Sequence, residues 1–263
     1  MKREVGLIVP VQPTKVQFGL LLALAFSTFV STRAFTQQSG STELTVDQIV
    51  SRMESARIES KGTAPFLLRR EYRLYQGDAA AKPMSQVKAE INVVPPHERD
   101  YKIVESKGSD RGEKIVRKIL EHEADAERST PPPTAIVHDN YDFALVGQDT
   151  VQGARCYVLS LKPKRKDPGL VNGQVFVDAN TFLTRKVEGQ MSKSPSWWVK
   201  AVKLTVLFGE VGGIWMQTST NAVADVRIVG KYTVAGRATG IQSAATLAQA
   251  SQAKIQKKTT SRN

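Results

Sequence analysis

A mainly β, α+β architecture, one strongly curved antiparallel sheet accompanied by two helices, is written into the sequence by three patterns. About ten segments alternate apolar and polar residues with period two, as half-buried strands do. Only two segments carry apolar residues at helical spacing. Turn residues at Gly153, 169–173, 178–181 and 209–213 punctuate the second half at short intervals. The 263 residues, 41% apolar and 24% charged, have an ordinary globular composition, which excludes a collagenous, wholly disordered or multi-span membrane chain. No repeat of roughly 20 to 50 residues is visible, which argues against a solenoid or propeller.

Lys2, Arg3 and Lys15 precede an apolar run at residues 18–30 (FGLLLALAFSTFV), and Thr32-Arg33-Ala34 then places small residues at the −3 and −1 positions of a cleavage site after Ala34. This predicts a secretory signal peptide over 1–34, since about 13 apolar residues fall short of the roughly 20 that span a bilayer as a helix. No cysteine follows the run, so a bacterial lipoprotein anchor is not expected. A polar lead covers 35–43. A folded domain is expected over 44–235, and an Ala-, Gln- and Ser-rich tail, disordered or weakly helical, over 236–263.

Thr45 is a plausible N-cap before Val46, Ile49, Val50 and Met53, which recur at helical spacing. After Lys61-Gly62, Phe66, Leu68, Tyr72 and Leu74 alternate with Arg69, Glu71 and Arg73. Val87, Ala89, Ile91 and Val93 alternate with Lys88, Glu90 and Asn92, and Tyr101 and Ile103 continue in a third run beyond Pro95-Pro96. These three segments predict an antiparallel meander. Residues 110–128 return to helical period, with Ile115, Val116, Ile119 and Leu120 as a narrow apolar stripe. Strands are then expected at 141–147, 155–163, 173–178, 183–189, 199–208, 213–221 and 222–232. Beyond Tyr232 the apolar alternation fades.

The formal charge of +12, about +9 once the leader is removed, suits acidic lipid head groups or an acidic partner without choosing between them. Nucleic acid is not expected, because the basic residues are spread over many strands and export removes that partner. Cys156 alone cannot close an intramolecular disulfide, and its apolar neighbours predict a buried, inert thiol. His97, His122 and His138 show no metal-ligand spacing, so neither metal nor cofactor is expected. Ser194, Ser196 and Ser219 lie in no GxSxG context and no phosphate-binding loop occurs, so the chain does not read as an enzyme. The basic run 162–166 (KPKRK) reads as a head-group or phosphate site or as a solvated hairpin end. Trp197 and Trp198, if on a strand, face opposite sides, so one at most is core and the other marks a cavity rim or a partner contact.

An antiparallel sheet must bury its apolar face, and two helices offer too few apolar side chains to cover ten strands densely. The surplus implies either a side-chain-filled barrel or a cavity for an apolar ligand. The segments NYDFALVG (140–147), VQGARCYVL (151–159) with Lys162-Pro163, QVFVD (174–178) and RKVEG (185–189) resemble the LolA/LolB-like superfamily of outer-membrane lipoprotein-sorting proteins. KSPSWWV (193–199) and VGGIW (211–215) are similar to an exported branch of it. The resemblance covers 44–232. It implies an open half-barrel, helices over the concave face, and a periplasmic carrier in a Gram-negative-type envelope that binds lipid or lipoprotein acyl chains for transport towards the outer membrane. The alternative within the same fold is an envelope-stress sensor or accessory protein that binds a membrane-protein partner. The expected lipid-binding cavity is formed by Phe66, Leu68, Tyr72, Ile91, Val93, Tyr101, Ile103, Val116, Ile119, Leu120, Tyr157, Leu159 and Leu161.

Overall fold

The structure, a computed structural model, describes residues 44–243 apart from 78, 80, 81, 97 and 129–132, together with residue 246. The expected signal peptide and its cleavage site lie outside the described residues. α1 (Val46–Glu59) starts at a reciprocal cap: Gln48 N–H donates to Thr45 Oγ1 at 3.3 Å, and Thr45 N–H donates to Gln48 Oε1 at 2.9 Å. β1 (Phe66–Gln76), β2 (Ser85–Val94) and β3 (Glu98–Gly108) form the expected meander. α2 (Asp110–Glu127) follows, with Ser109 Oγ accepting from Arg111 N–H. The remaining strands are β4 (Tyr141–Val151), β5 (Ala154–Pro163), β6 (Val171–Asp178), β7 (Thr184–Met191), β8 (Val199–Val211), β9 (Ile214–Val226) and β10 (Gly230–Ser243).

All ten strands join in one antiparallel sheet of order β3-β2-β1-β10-β9-β8-β7-β6-β5-β4, so the first strand of the chain pairs with its last. β3 and β4 stand at its two edges and the sheet is open. Directly paired residues project to the same side, so the register traces one face across the molecule. Leu74 of β1 stands in line with Val234, Ala222, Leu204, Gly189, Gly173 and Leu161, and Tyr72 with Gly236, Thr220, Val206, Val187, Val175 and Leu159.

Both helices pack on that face, at opposite ends of the sheet. Val116 and Leu120 of α2 join Phe66, Leu68, Tyr72, Leu74, Val87, Ala89 and Ile91 in one cluster. Ile49, Val50 and Met53 of α1 join Tyr141, Leu159, Leu161, Val175, Val177 and Val187 in another. Interiors gain from dense contact, and each end is closed accordingly. The other face carries a smaller cluster of Val151, Cys156, Val158 and Phe176, with Lys186 Nζ 3.7 Å from the centre of the Phe176 ring.

Two sequence expectations are corrected. The break placed between Asn221 and Ala222 does not exist: β9 runs through both, paired to Thr205 and Leu204 of β8, and the turn comes instead at residues 227–229. The last strand then extends to Ser243, past the boundary expected at 235. It lacks apolar alternation because it is central and closely flanked: a Cβ on Gly236 would stand 3.1 Å from the Tyr72 ring, so small residues are what fits. Trp197 and Trp198 lie on no strand but in the connection between β7 and β8, and both are exposed.

Candidate functional site

Between the two helix-packed ends, the apolar face passes over β10, β9 and β8. Its side chains there include Leu204, Val206, Phe208, Ala222, Ala224 and Val234, all half-buried. At the ends the equivalent positions, Leu74, Ile91, Leu159 and Leu161, are essentially inaccessible. The difference has a sequence cause. The central rows carry Gly236, Thr220, Ala222, Gly189 and Gly173 where the flanking rows carry Leu, Tyr and Val. At Gly173 and Gly189 the choice is imposed by backbone approach, since a Cβ on Gly173 would meet Glu188 O at 2.0 Å and one on Gly189 would meet Asn172 O at 2.4 Å. The result is a half-buried apolar strip with larger side chains and a helix on either side, and with Val199, Val202 and Val226 buried at one end of it.

The thirteen residues expected to form a cavity divide between the two ends. Phe66, Leu68, Tyr72, Ile91, Val116 and Leu120 are buried together under α2, with Val93, Tyr101 and Ile103 packed at the margin. Leu159 and Leu161 are buried under α1, with Tyr157 half-buried beside them and stacked on Phe182 at a ring separation of 6.4 Å. Ile119 is half-buried on α2. The structure therefore brings twelve of the thirteen into two clusters on one face, with the strip between them. Two open hollows lie elsewhere. One of about 430 Å³ lies at the β3–α2 edge, lined by Tyr101, Ile103, Glu113 and Arg117 among others. One of about 270 Å³ lies over Val146, Val158, Phe176 and Glu188.

One polar feature enters the apolar face. Arg70 of β1 is buried and donates to Glu123 Oε2 on α2 at 2.8 Å, and Arg99 of β3 donates to the same oxygen at 2.6 Å. Burial pulls the Arg70 guanidinium down, but Glu123 and Tyr72 together more than offset it, so its pKa lies above the ordinary arginine value. The Tyr72 hydroxyl nearby in sequence is buried with no hydrogen-bond partner among the described residues, and burial, helped by Glu123, raises its pKa. Sequence reasoning passed over Arg70, although its even position between Leu68 and Tyr72 already placed it on this face. It also left Leu204, Val206, Ala222 and Val234 out of the site. Their alternation was visible, but the strand order that makes β8, β9 and β10 central was not.

Cys156 is buried and burial pushes its thiol pKa up, away from the reactive thiolate. His138 is exposed, edge-on to Phe143 and 3.6 Å from Asp47. Within the basic run 162–166, Arg165 is structural, donating to Asn140 Oδ1 at 2.5 Å and to Pro133 O at 2.7 Å, while Lys162, Lys164 and Lys166 are exposed. Among the described residues, no three His, Cys, Asp or Glu side chains gather as metal ligands, and no helix is long and apolar enough to cross a membrane.

No protein-family model matches the chain, and no curated protein does. Among solved structures it is similar to a DUF1329 family protein from Desulfovibrio piger, at 12% identity over 76% of this chain and 93% of that one, with a TM-score of 0.40. It is similar to an outer membrane lipoprotein-sorting protein domain from Vibrio parahaemolyticus, at 10% identity over 74% and 92%, with a TM-score of 0.40. A LolA superfamily protein from Nitrosomonas europaea matches at 11% identity over 76% and 93%, with a TM-score of 0.37.

Proposed function

We propose that the chain is an exported, periplasmic carrier that holds the acyl chains of a lipid or lipoprotein against the central apolar strip and takes them towards the outer membrane. The observation that carries this reading is the contrast along one face: dense packing beneath each helix, and half-buried apolar side chains on β8, β9 and β10 between them. Laying an acyl chain there removes apolar surface from water, worth about 25 cal/mol per Å². Such burial is non-directional, so cargo can be released without breaking a set of polar contacts. The two clusters act as flanking walls, with Tyr72 over Gly236 at one margin, and their deeper members keep the helices in place. Nothing in this reading requires a metal, a cofactor or a covalent step.

A fluorescent fatty-acid probe tests the reading. Leu204→Glu puts a charge on the strip and should weaken probe binding by about tenfold or more, because a carboxylate is costly to desolvate beside an acyl chain. Lys164→Glu, on the exposed basic run, should leave binding within about twofold. Far-UV circular dichroism confirms that both variants keep the sheet. If the parent chain binds no probe, or if Lys164→Glu abolishes binding while Leu204→Glu preserves it, the carrier reading is wrong.

A further inference from the structure

At one end of the sheet, two connections meet: residues 192–198, which lead from β7 into β8, and residues 227–229, which turn β9 into β10. They are tied together by Arg227, through its backbone and its side chain. Arg227 donates from its N–H to Trp198 O at 2.8 Å and from Nε to Trp197 O at 2.9 Å. Ser194 Oγ donates to Val199 O, and Val199 N–H donates to Ser196 O at 3.1 Å, fixing the first connection at its base. The side chains that this arrangement presents are apolar. Trp197 is 84% exposed, Trp198 and Val229 are each 44% exposed, and Ile228 is fully exposed. Single exposed apolar residues are common on protein surfaces, but a group of four on one tied platform is of the kind that marks a contact surface.

Ile228 adds a second, independent observation. Its φ is +74°, a left-handed conformation that β-branched residues strongly disfavour and that glycine adopts freely. Gly230 supplies a glycine at φ +82° two residues later, so the turn holds its most exposed side chain at the position where folding alone favours none.

The charges around the platform choose its partner. Lys193, Lys200, Arg227 and Lys231 are exposed, and Asp225, 3.9 Å from Lys200, is the acidic residue within 192–200 and 225–231. Tryptophan favours the interface between water and lipid, and basic residues at its rim are drawn to anionic head groups. We infer that this tip seats on an anionic phospholipid surface, with Trp197, Trp198, Ile228 and Val229 entering the head-group layer and the four cations meeting lipid phosphates. The contact stands whether or not the central strip carries an acyl chain, and it gives the chain a way to present itself end-on to a membrane.

Flotation of the full-length chain with vesicles of phosphatidylglycerol mixed with phosphatidylcholine, and with phosphatidylcholine alone, tests this. All variants keep the same N-terminus, so residues 1–34, where retained, contribute equally. Ile228→Gly is the most informative variant: it removes the side chain and relieves the turn, so thermal stability should hold or rise while vesicle binding falls by about threefold or more. Trp197→Ser combined with Trp198→Ser should weaken binding by about tenfold. Lys193→Glu combined with Lys231→Glu should abolish the preference for phosphatidylglycerol. Fatty-acid probe binding should be unchanged in all of them, which separates this inference from the carrier reading. Parent-like flotation of the three variants would overturn it. So would variants that still float but no longer crosslink to an envelope protein captured by the parent, which would assign the tip to a protein partner.

Discussion

Glu71 stands on the polar side of β1 and is nonetheless almost wholly enclosed. Its carboxylate accepts from Arg237 at 2.8 Å, from Arg73 at 2.6 Å and from Gln86 Nε2 at 2.9 Å. The Arg237 hydrogen bond, against the opposing effect of burial, holds its pKa below the ordinary carboxylate value. A folded-state pKa below the unfolded one, about 4.3 for glutamate, means stability that is fully present at neutral pH and is lost as pH falls through the folded value. Glu71→Gln should therefore unfold at a lower temperature than the parent at about pH 7, and the gap should narrow as pH falls towards about 3. Thermal unfolding midpoints across that range check it, and a gap independent of pH would contradict it. The alternation in the sequence placed Glu71 correctly on the wet face. What it could not show is Arg237, a residue 166 positions away on a strand whose polar, small-residue composition hid it. Arg70 is the converse case, legible by position but a charge where the pattern called for a hydrocarbon, because the Glu123 that satisfies it, shared with Arg99 of β3, comes from α2.

α2 was readable from its stripe, and the structure ranks the members of that stripe. Val116 and Leu120 are inaccessible in the cluster under the helix, while Ile119, one position away, is half-buried. Leu120→Ala should then cost about 2 to 5 kcal/mol in chemical denaturation, and Ile119→Ala about 1 kcal/mol, in proportion to the smaller area it takes from water. Equal losses would mean that the helix sits differently on the sheet. The elements specified by local signals were legible. Thr45 with Gln48, and Ser109 ahead of α2, are caps that need no tertiary partner, and β1, β2 and β5 alternate because one of their faces is buried. β9 and β10 were misjudged because their half-buried faces relax the alternation that makes a strand visible. The tryptophan pair lies just ahead of the strand expected at 199–208, and only the ties from Arg227 to its carbonyls reveal a platform.

The topology assigns β10 a role for the whole molecule that no local pattern announces. It is the single strand joining the meander β1 to β3, with α2, to the run β9 to β4, with α1. Its first half, from Gly230 to Arg237, pairs with β9, while residues 238–243 continue along β1 opposite Phe66 to Arg70. A chain ended at Ala235, just before the polar tail expected at 236–263, would lose Arg237 from Glu71 and strip the partner from half of β1. Unpaired backbone groups on a buried strand are costly, and a newly exposed edge beside Phe66 and Leu68 invites pairing with other chains. The expected outcome is loss of the single cooperative thermal transition and aggregation at concentrations where the full chain is soluble, read by differential scanning calorimetry and size-exclusion chromatography. The apolar strip depends on the same strand, since Val234, Gly236 and Ala238 of β10 connect its floor to the wall formed by Leu74 and Tyr72. Probe binding should fall together with cooperativity in the shortened chain. If the chain ended at Ala235 melts at the parent's temperature and still binds the probe, the two halves of the sheet are held together by something other than β10.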